Sequence, residues 1–367
     1  AVARSLGAGD LPGALRRGVD GLWLALLLGA VLGVIGFATA NIVVGWFGTK
    51  PAAAGYAVTY LRVSMFGMPA ILGVFAMTGV LRGLQDTKTP LLVAVAANLA
   101  NAGLNYALVY GLDMGIAGSA LGTVLAQWAS VLVYVAAVLP GIRAQGVSLG
   151  FSQPGVMRSF AASAPLVLRN VSLRLVVVGS AAVAARIGSA ELAAHQVAFT
   201  VWTTLALGLD AVAIAGQALV GRYLGASDVK GAHDATRRMI ELSVAFGVVL
   251  GLAILLTRHL LPQLFTDDAE VRRLLAGVLL IIAVMQPGAG MVFALDGVLI
   301  GAGDMRYLAL AQALTVLVFL PLAAAVLAFG LGLDGLWWAI GGWVVARLAV
   351  LTWRHRGQAW AVAGAVR

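Results

Sequence analysis

A few ionisable side chains lie inside stretches of this sequence that are otherwise apolar. Asp210 and Asp296 are the acids of this set, and Arg169, Arg174 and His195 are the basic residues. A charged group inside a lipid bilayer is costly unless it is paired or faces a wet cavity, so each is a functional candidate. A carboxylate in such a place can load and release a proton or another cation. The same charges could instead form a structural ion-pair network, and both interpretations stand at this point.

A polar stripe accompanies one of these acids. His195, Trp202, Asp210 and Gln217 fall within about 80° of one another on a helix of 3.6 residues per turn. This spacing predicts one polar face that crosses the apolar segment. The stripe could line a cavity, or it could pack inside the bundle together with the buried arginines. Arg347 also lies in an apolar stretch.

The sequence is internally duplicated. RSLGAGDLPGALRR at 4–17 returns as RYLGASDVKGAHDA at 222–235, and residues 69–86 return at 287–304 with the same shift of 218 positions. Two ungapped blocks at one shift are typical of secondary transporters, which place the substrate site between two related halves. Asp296 aligns with Thr78 in this duplication, so the repeat folds without the acid. We therefore expect Asp296 or Asp210 to carry the coupling cation. Asp296 is the better carrier, and Asp210, which could share its surroundings with Arg169 and Arg174, is the better ion-pair partner.

Composition indicates a polytopic membrane protein. Hydrophobic residues make up 61% of the chain and charged residues 11%, and the mean hydropathy is +0.98, whereas a soluble domain carries about 25% charge. The net charge of +9 is explained by basic cytoplasmic loops, so nucleic-acid binding is not expected. The absence of cysteine excludes disulfides, thiolate metal sites and cysteine nucleophiles.

Apolar stretches of about 20 residues predict the membrane spans. The ten spans lie near 21–45, 56–80, 90–110, 115–139, 158–185, 191–220, 239–258, 274–299, 307–328 and 333–353.

The duplication predicts two parallel six-helix repeats in an all-α bundle. The second half begins near Pro154, so its mate would begin some 64 residues before Ala1, and the first repeat lacks about two helices. We expect an N-terminally truncated lobe at 1–140, a cytoplasmic linker at 141–157 and a second lobe at 158–356.

Basic residues also predict the orientation. They concentrate on the side of the repeated RxLGAxD loops, while the opposite side carries Lys50, Arg186, Arg258, Arg272 and Arg273. The positive-inside rule then places the loops and the C-terminus in the cytoplasm of a plasma-membrane protein.

Three asparagines share a helical face in the third span. Asn98, Asn101 and Asn105 are spaced i, i+3 and i+7. Asparagine amides at these positions can hydrogen-bond across helices or line a wet cavity. The two interpretations are equally open from the sequence.

Several motifs together resemble one transporter family. The paired RxLGAxD loops, GVLRGLQDTKTP at 79–90 with GVLIGAGDMR at 297–306, and ARIGSAELAAHQV followed by GLDAVAIAGQALVGRYLGASD within 185–228 are similar to the multidrug and toxic compound extrusion (MATE) family. The DNA-damage-inducible F-type branch is the most similar.

The resemblance implies two lobes around a central cavity and the antiport of amphipathic or cationic compounds against protons or sodium ions. In that branch the residue matched by Asn105 is commonly an aspartate that assists an aspartate of the first span. Asn105 cannot titrate, so the resemblance leaves the proton site of the first lobe in doubt.

Other functions have less support in the sequence. Metalloprotease, nucleophile-elbow, Walker and dinucleotide motifs are missing from it, so we expect no enzyme activity, no metal site and no cofactor beyond the coupling ion. A lipid-linked-precursor flippase of the same superfamily is the alternative, because Arg169 and Arg174 could bind a pyrophosphate. We expect a monomer whose partners are a small-molecule substrate and the lipid bilayer.

Overall fold

A computed structural model of the chain describes residues 1–46, 48 and 50–365, and these residues are almost entirely helical. Besides α-helices, these residues form a π-helical turn (Ala107–Gly111) and a 3-10 turn (Leu261–Leu264). The α-helices of the described part are α1 (Val2–Gly7), α2 (Leu11–Gly45), α3 (Pro51–Met65), α4 (Met68–Gly83), α5 (Lys88–Tyr106), α6 (Gly115–Ala144), α7 (Gln153–Ile187), α8 (Ser189–Gly225), α9 (Val229–Thr257), α10 (Ala269–Gly301), α11 (Met305–Ala328) and α12 (Gly332–Arg356).

The ten predicted spans are found in the described residues. Nine helices are long and apolar enough to cross a membrane, and a bent pair supplies the tenth. The pair is α3 and α4, which meet at 48° around Phe66 and Gly67. Pro69 lies in the first turn of α4, where its missing N–H costs no helical hydrogen bond. Its repeat mate Pro287 instead lies inside the continuous helix α10, so the break is not shared by the two repeats.

The duplication is visible in the turns between helices. Asp10 and Asp228 are the N-caps of α2 and α9, and each carboxylate accepts a hydrogen bond of 2.8 Å from the N–H three residues later. The N–H of Asp10 donates to the Ser5 carbonyl, and that of Asp228 donates to the Tyr223 carbonyl, both at 2.9 Å. The repeated sequence therefore encodes a repeated helix-ending turn.

The structure divides into two compact units, 1–161 and 162–367. The division falls within α7, a few residues beyond the predicted linker. Helix α6 continues to Ala144 and α7 begins at Gln153, so only residues 145–152 are free of helix. These residues are held on the first unit: Arg16 donates to the Ser148 and Gly150 carbonyls at 2.6 and 3.0 Å, and the Trp23 indole donates to Leu149 at 2.9 Å.

The second unit is built around α10. In its most apolar stretch 67% of the residues are buried, against 6% to 50% in the other spans of the described chain. Small residues let the neighbouring helix approach closely: a Cβ added at Gly297 would collide with the Ala213 carbonyl of α8. Helices in membranes pack through such small residues. Asp296 is the neighbour of Gly297, so its carboxylate lies in the middle of the unit.

Candidate ion site in the second unit

Asp296 is buried between two arginines from different helices. Its Oδ2 accepts a hydrogen bond of 2.7 Å from Nη2 of Arg169 on α7 and one of 2.6 Å from Nη2 of Arg347 on α12. Asp296 is 6% exposed and Arg347 is 8% exposed. The Arg347 guanidinium also lies 5.0 Å from the centre of the Trp343 ring, which adds a cation–π contact. The three side chains tie α7, α10 and α12 together.

The structure gives Arg169 a partner that the sequence did not assign to it. Arg169 pairs with Asp296, whereas the sequence assigned it to Asp210. The Asp296 carboxylate is thus occupied by two guanidiniums. Arg347, which the sequence placed in a span without a partner, completes the site. Asp296 and Arg347 are 51 positions apart on different helices, and helical periodicity relates residues of one helix only.

Asp210 has a different environment. It is exposed, while the preceding residue Leu209 is buried in the unit. A carboxylate on the outside of a membrane helix is tolerated when it faces water or another polar surface, and is costly against lipid. Of the two acids, Asp210 is therefore the one whose carboxylate is accessible from outside the second unit. Arg174 is exposed as well.

The predicted polar stripe is not one continuous surface. His195 is 2% exposed, and its Nε2 lies 3.4 Å from the Ser180 hydroxyl. Its ring packs 5.7 Å from Trp337, and Trp202 meets the same indole edge-on at 6.3 Å. Gln217, at the other end of the stripe, is exposed. His195 and Trp202 thus pack within the unit, while Asp210 and Gln217 lie at its surface.

The asparagine face of the first unit is partly a contact between helices. Asn105 Nδ2 donates to Asn101 Oδ1 at 2.7 Å, and Asn101 Nδ2 lies 3.4 Å from the Thr123 hydroxyl of α6. Asn98 is exposed and donates to the Ala94 carbonyl of its own helix at 2.8 Å. The three amides therefore do not act as one group.

Metal chemistry gains no support from these sites. The described residues contain no group of three or more His, Cys, Asp or Glu side chains that could hold a metal ion. Of the two acids expected inside the spans of the second unit, Asp296 is buried between two arginines and Asp210 is exposed. An all-helical bundle of ten spans, built from two repeats with charges inside the spans, defines a secondary transporter.

Comparison with known proteins agrees with this class. A sequence model of the MatE family matches residues 1–107 and 165–325, and the chain belongs to that family of multi-pass membrane transporters, which are not enzymes. It is 31% identical to the probable multidrug resistance protein NorM of Bradyrhizobium diazoefficiens, over 96% of this chain and 79% of the relative. It is 28% identical to DNA damage-inducible protein F of Escherichia coli, over 94% and 80%.

The plant relatives are longer than this chain. Protein DETOXIFICATION 42 of Arabidopsis thaliana is 29% identical over 94% of this chain, and the match spans 67% of the plant protein. For the proteins DETOXIFICATION 43, 44 and 45 the chain spans 54% to 56% of their length.

Solved structures show the same fold. A MATE transporter in the bent conformation matches 98% of this chain and 82% of its own, with a TM-score of 0.89 and 22% identity. An outward-facing multidrug resistance MATE transporter matches the same shares with a TM-score of 0.87 and 23% identity. The two-repeat helical fold expected from the sequence is thereby confirmed.

Proposed function

We propose that the protein exports amphipathic or cationic small molecules in exchange for a proton or a sodium ion, by alternating access. The observation that carries this proposal is the contrast between the two intramembrane acids of the second unit. Asp296 is held by two guanidiniums, while Asp210 is exposed on α8. Membership of the MatE family and the multidrug resistance name of its relatives support export as the direction of transport.

Ion coupling requires a group whose affinity for the ion differs between two conformations of the protein. We assign this role to Asp210, because an exposed carboxylate can exchange a cation with its surroundings. We assign to Asp296 the holding of α7 and α12 against α10. Asp296 is then a positioning residue, and Asp210 is the candidate that binds the coupling ion.

The flippase alternative is less well supported by the geometry. A flippase that carries a pyrophosphate needs free cationic side chains in its cavity. Arg169 and Arg347 are bound to Asp296, and the donors that face the carboxylate are not available to a phosphate. Of Arg169 and Arg174, the two arginines of α7 considered for a pyrophosphate, Arg174 is the exposed one.

Transport by the purified protein in proteoliposomes tests the proposal. A cationic dye inside the vesicles and a proton gradient, or separately a sodium gradient, should give dye movement that depends on one of the two gradients and stops when it is dissipated. Dye movement that ignores both gradients would contradict ion coupling. Movement of a lipid-linked pyrophosphate without dye transport would favour the flippase.

We also propose that the protein lies in the plasma membrane with its C-terminus in the cytoplasm, since basic residues concentrate at that end of the helices. The chain has no cysteine, so the labelling of a single introduced cysteine shows on which side of the membrane that residue lies. In whole cells an impermeant maleimide should label Gln263→Cys, beside the 3-10 turn, and should label Ser227→Cys, in the α8–α9 turn, only after lysis. Labelling of Ser227→Cys in intact cells would invert the topology.

A further inference from the structure

A basic cavity lies at the end of the second unit opposite its last helical residue, Arg356. Its volume is about 480 Å³, which is within the range of small-molecule sites. It is formed where α9 ends, the 3-10 turn follows and α10 begins. Its lining consists of Arg258, His259, Gln263, Arg272, Arg273, Ala276 and Gly277.

The cavity has more cations than anions facing it. Arg272 is neutralised, because it donates to Asp267 at 2.7 Å and to the Thr266 carbonyl at 2.6 Å. Arg258 and Arg273 form no ion pair within the described residues. Asp334 is the carboxylate near the floor, where a Cβ on Gly277 would lie 3.1 Å from its Oδ1.

Two acids near the start of α10 do not neutralise the cavity. Asp268 caps α10 by accepting from the N–H groups of Glu270 and Val271, and Glu270 is exposed and outside the lining. Two guanidiniums and the imidazole of His259 therefore face one carboxylate. This excess of positive charge, with several free N–H donors, suits an anion with more than one oxygen acceptor.

The fold itself does not require these basic residues. The duplication aligns Arg258 with Ala40, and it aligns Arg272 and Arg273 with Ala54 and Gly55. The first repeat thus forms the same pair of helices with small neutral residues. The arginines also lie on the side of the membrane that the charge asymmetry makes poor in basic residues, so neither the repeat nor the topology explains them.

Exposed apolar side chains lie next in sequence to the lining residues His259 and Gln263, on the same turn. Leu260 is 64% exposed, Leu264 is 82% exposed and Phe265 is 48% exposed. They directly follow the membrane span α9, at the level where lipid head groups lie. Apolar side chains beside arginines at such a level contact acyl chains while the guanidiniums contact head-group phosphates.

We propose that this cavity binds the phosphate of an anionic phospholipid head group. The arginines hold the phosphate, and Leu260, Leu264 and Phe265 contact the acyl chains of the same lipid. This site is separate from Asp210 and Asp296, and its occupancy does not depend on the direction or the coupling of transport.

Thermal unfolding of the purified protein in detergent tests the site. Phosphatidylglycerol should raise the Tm in a saturable manner, and phosphatidylcholine should not. Each arginine near a phosphate contributes about fivefold to affinity, so Arg258→Gln with Arg273→Gln should weaken the apparent affinity about 25-fold. Arg186→Gln, at an exposed arginine outside the cavity, loses one positive charge on the same side and should bind as the unchanged protein does.

Two further measurements identify the ligand and control for misfolding of the glutamine pair. Inorganic phosphate and glycerol phosphate should raise the Tm much less than phosphatidylglycerol does, and an equal effect would replace the lipid with a soluble phosphate. Arg258→Lys with Arg273→Lys keeps the charge and should keep most of the binding even if the glutamine pair does not fold. Equal stabilisation by phosphatidylcholine, or undiminished binding by the folded glutamine pair, would overturn the proposal.

Discussion

Asp296→Asn should fold poorly, because the substitution removes the carboxylate that binds both Arg169 and Arg347. The two guanidiniums, held at 2.7 and 2.6 Å from Oδ2, would face an amide that carries no charge. Breaking a buried ion pair by removing one partner costs about 3–5 kcal/mol. We therefore expect a lower yield in the membrane and a lower Tm for the purified variant, with both measured against the unchanged protein.

A second substitution distinguishes two causes of instability, the uncompensated charge and the changed side-chain shape. Arg347→Met in the Asp296→Asn background removes one of the two uncompensated charges and keeps an unbranched side chain beside Trp343. This double variant should recover part of the yield and Tm that Asp296→Asn loses. If Asp296→Asn is as stable as the unchanged protein, or if the double variant is worse than the single one, the ion pair does not stabilise the bundle.

The helices were predictable because each span carries its own signal. A bilayer requires about 20 apolar residues per helix, and the turns carry aspartate caps that recur with the duplication. The ten segments, the repeat and the family followed from these local patterns. The repeat mates Pro69 and Pro287 indicated a kink in both repeats. The structure breaks next to Pro69, at Phe66 and Gly67, whereas Pro287 lies inside the continuous helix α10.

The candidate site was harder to predict because it depends on contacts between helices. Periodicity placed His195 and Asp210 on one face of α8, but it did not show that the lobe packs over His195 and leaves Asp210 exposed. The same limit applies to Asp296, whose partners come from α7 and α12. The duplication gave no guide to these partners: the alignment of Asp296 with Thr78 indicated a cation carrier that folding does not need, whereas in the structure the acid binds two arginines.

Asp210→Asn should have the opposite consequence from Asp296→Asn. Asp210 is exposed, and the amide has nearly the shape of the carboxylate, so the variant should reach the membrane at a normal level. It should lose ion-driven efflux, because an amide neither binds a proton nor attracts a sodium ion as a carboxylate does. The efflux rate in the presence of the gradient should therefore fall to the rate measured without a gradient.

The matched control for this variant is Asp234→Asn. Asp234 is an exposed acid near the start of α9, outside the spans expected to carry the ion, and its loss changes the net charge by the same amount. Its efflux should respond to the gradient as in the unchanged protein. Asp210→Glu keeps the carboxylate and should retain part of the ion-driven rate.

Normal gradient-driven efflux by Asp210→Asn at normal expression would remove Asp210 from ion coupling. A group other than these two acids would then have to bind the coupling ion, because Asp296 is held by its two arginines.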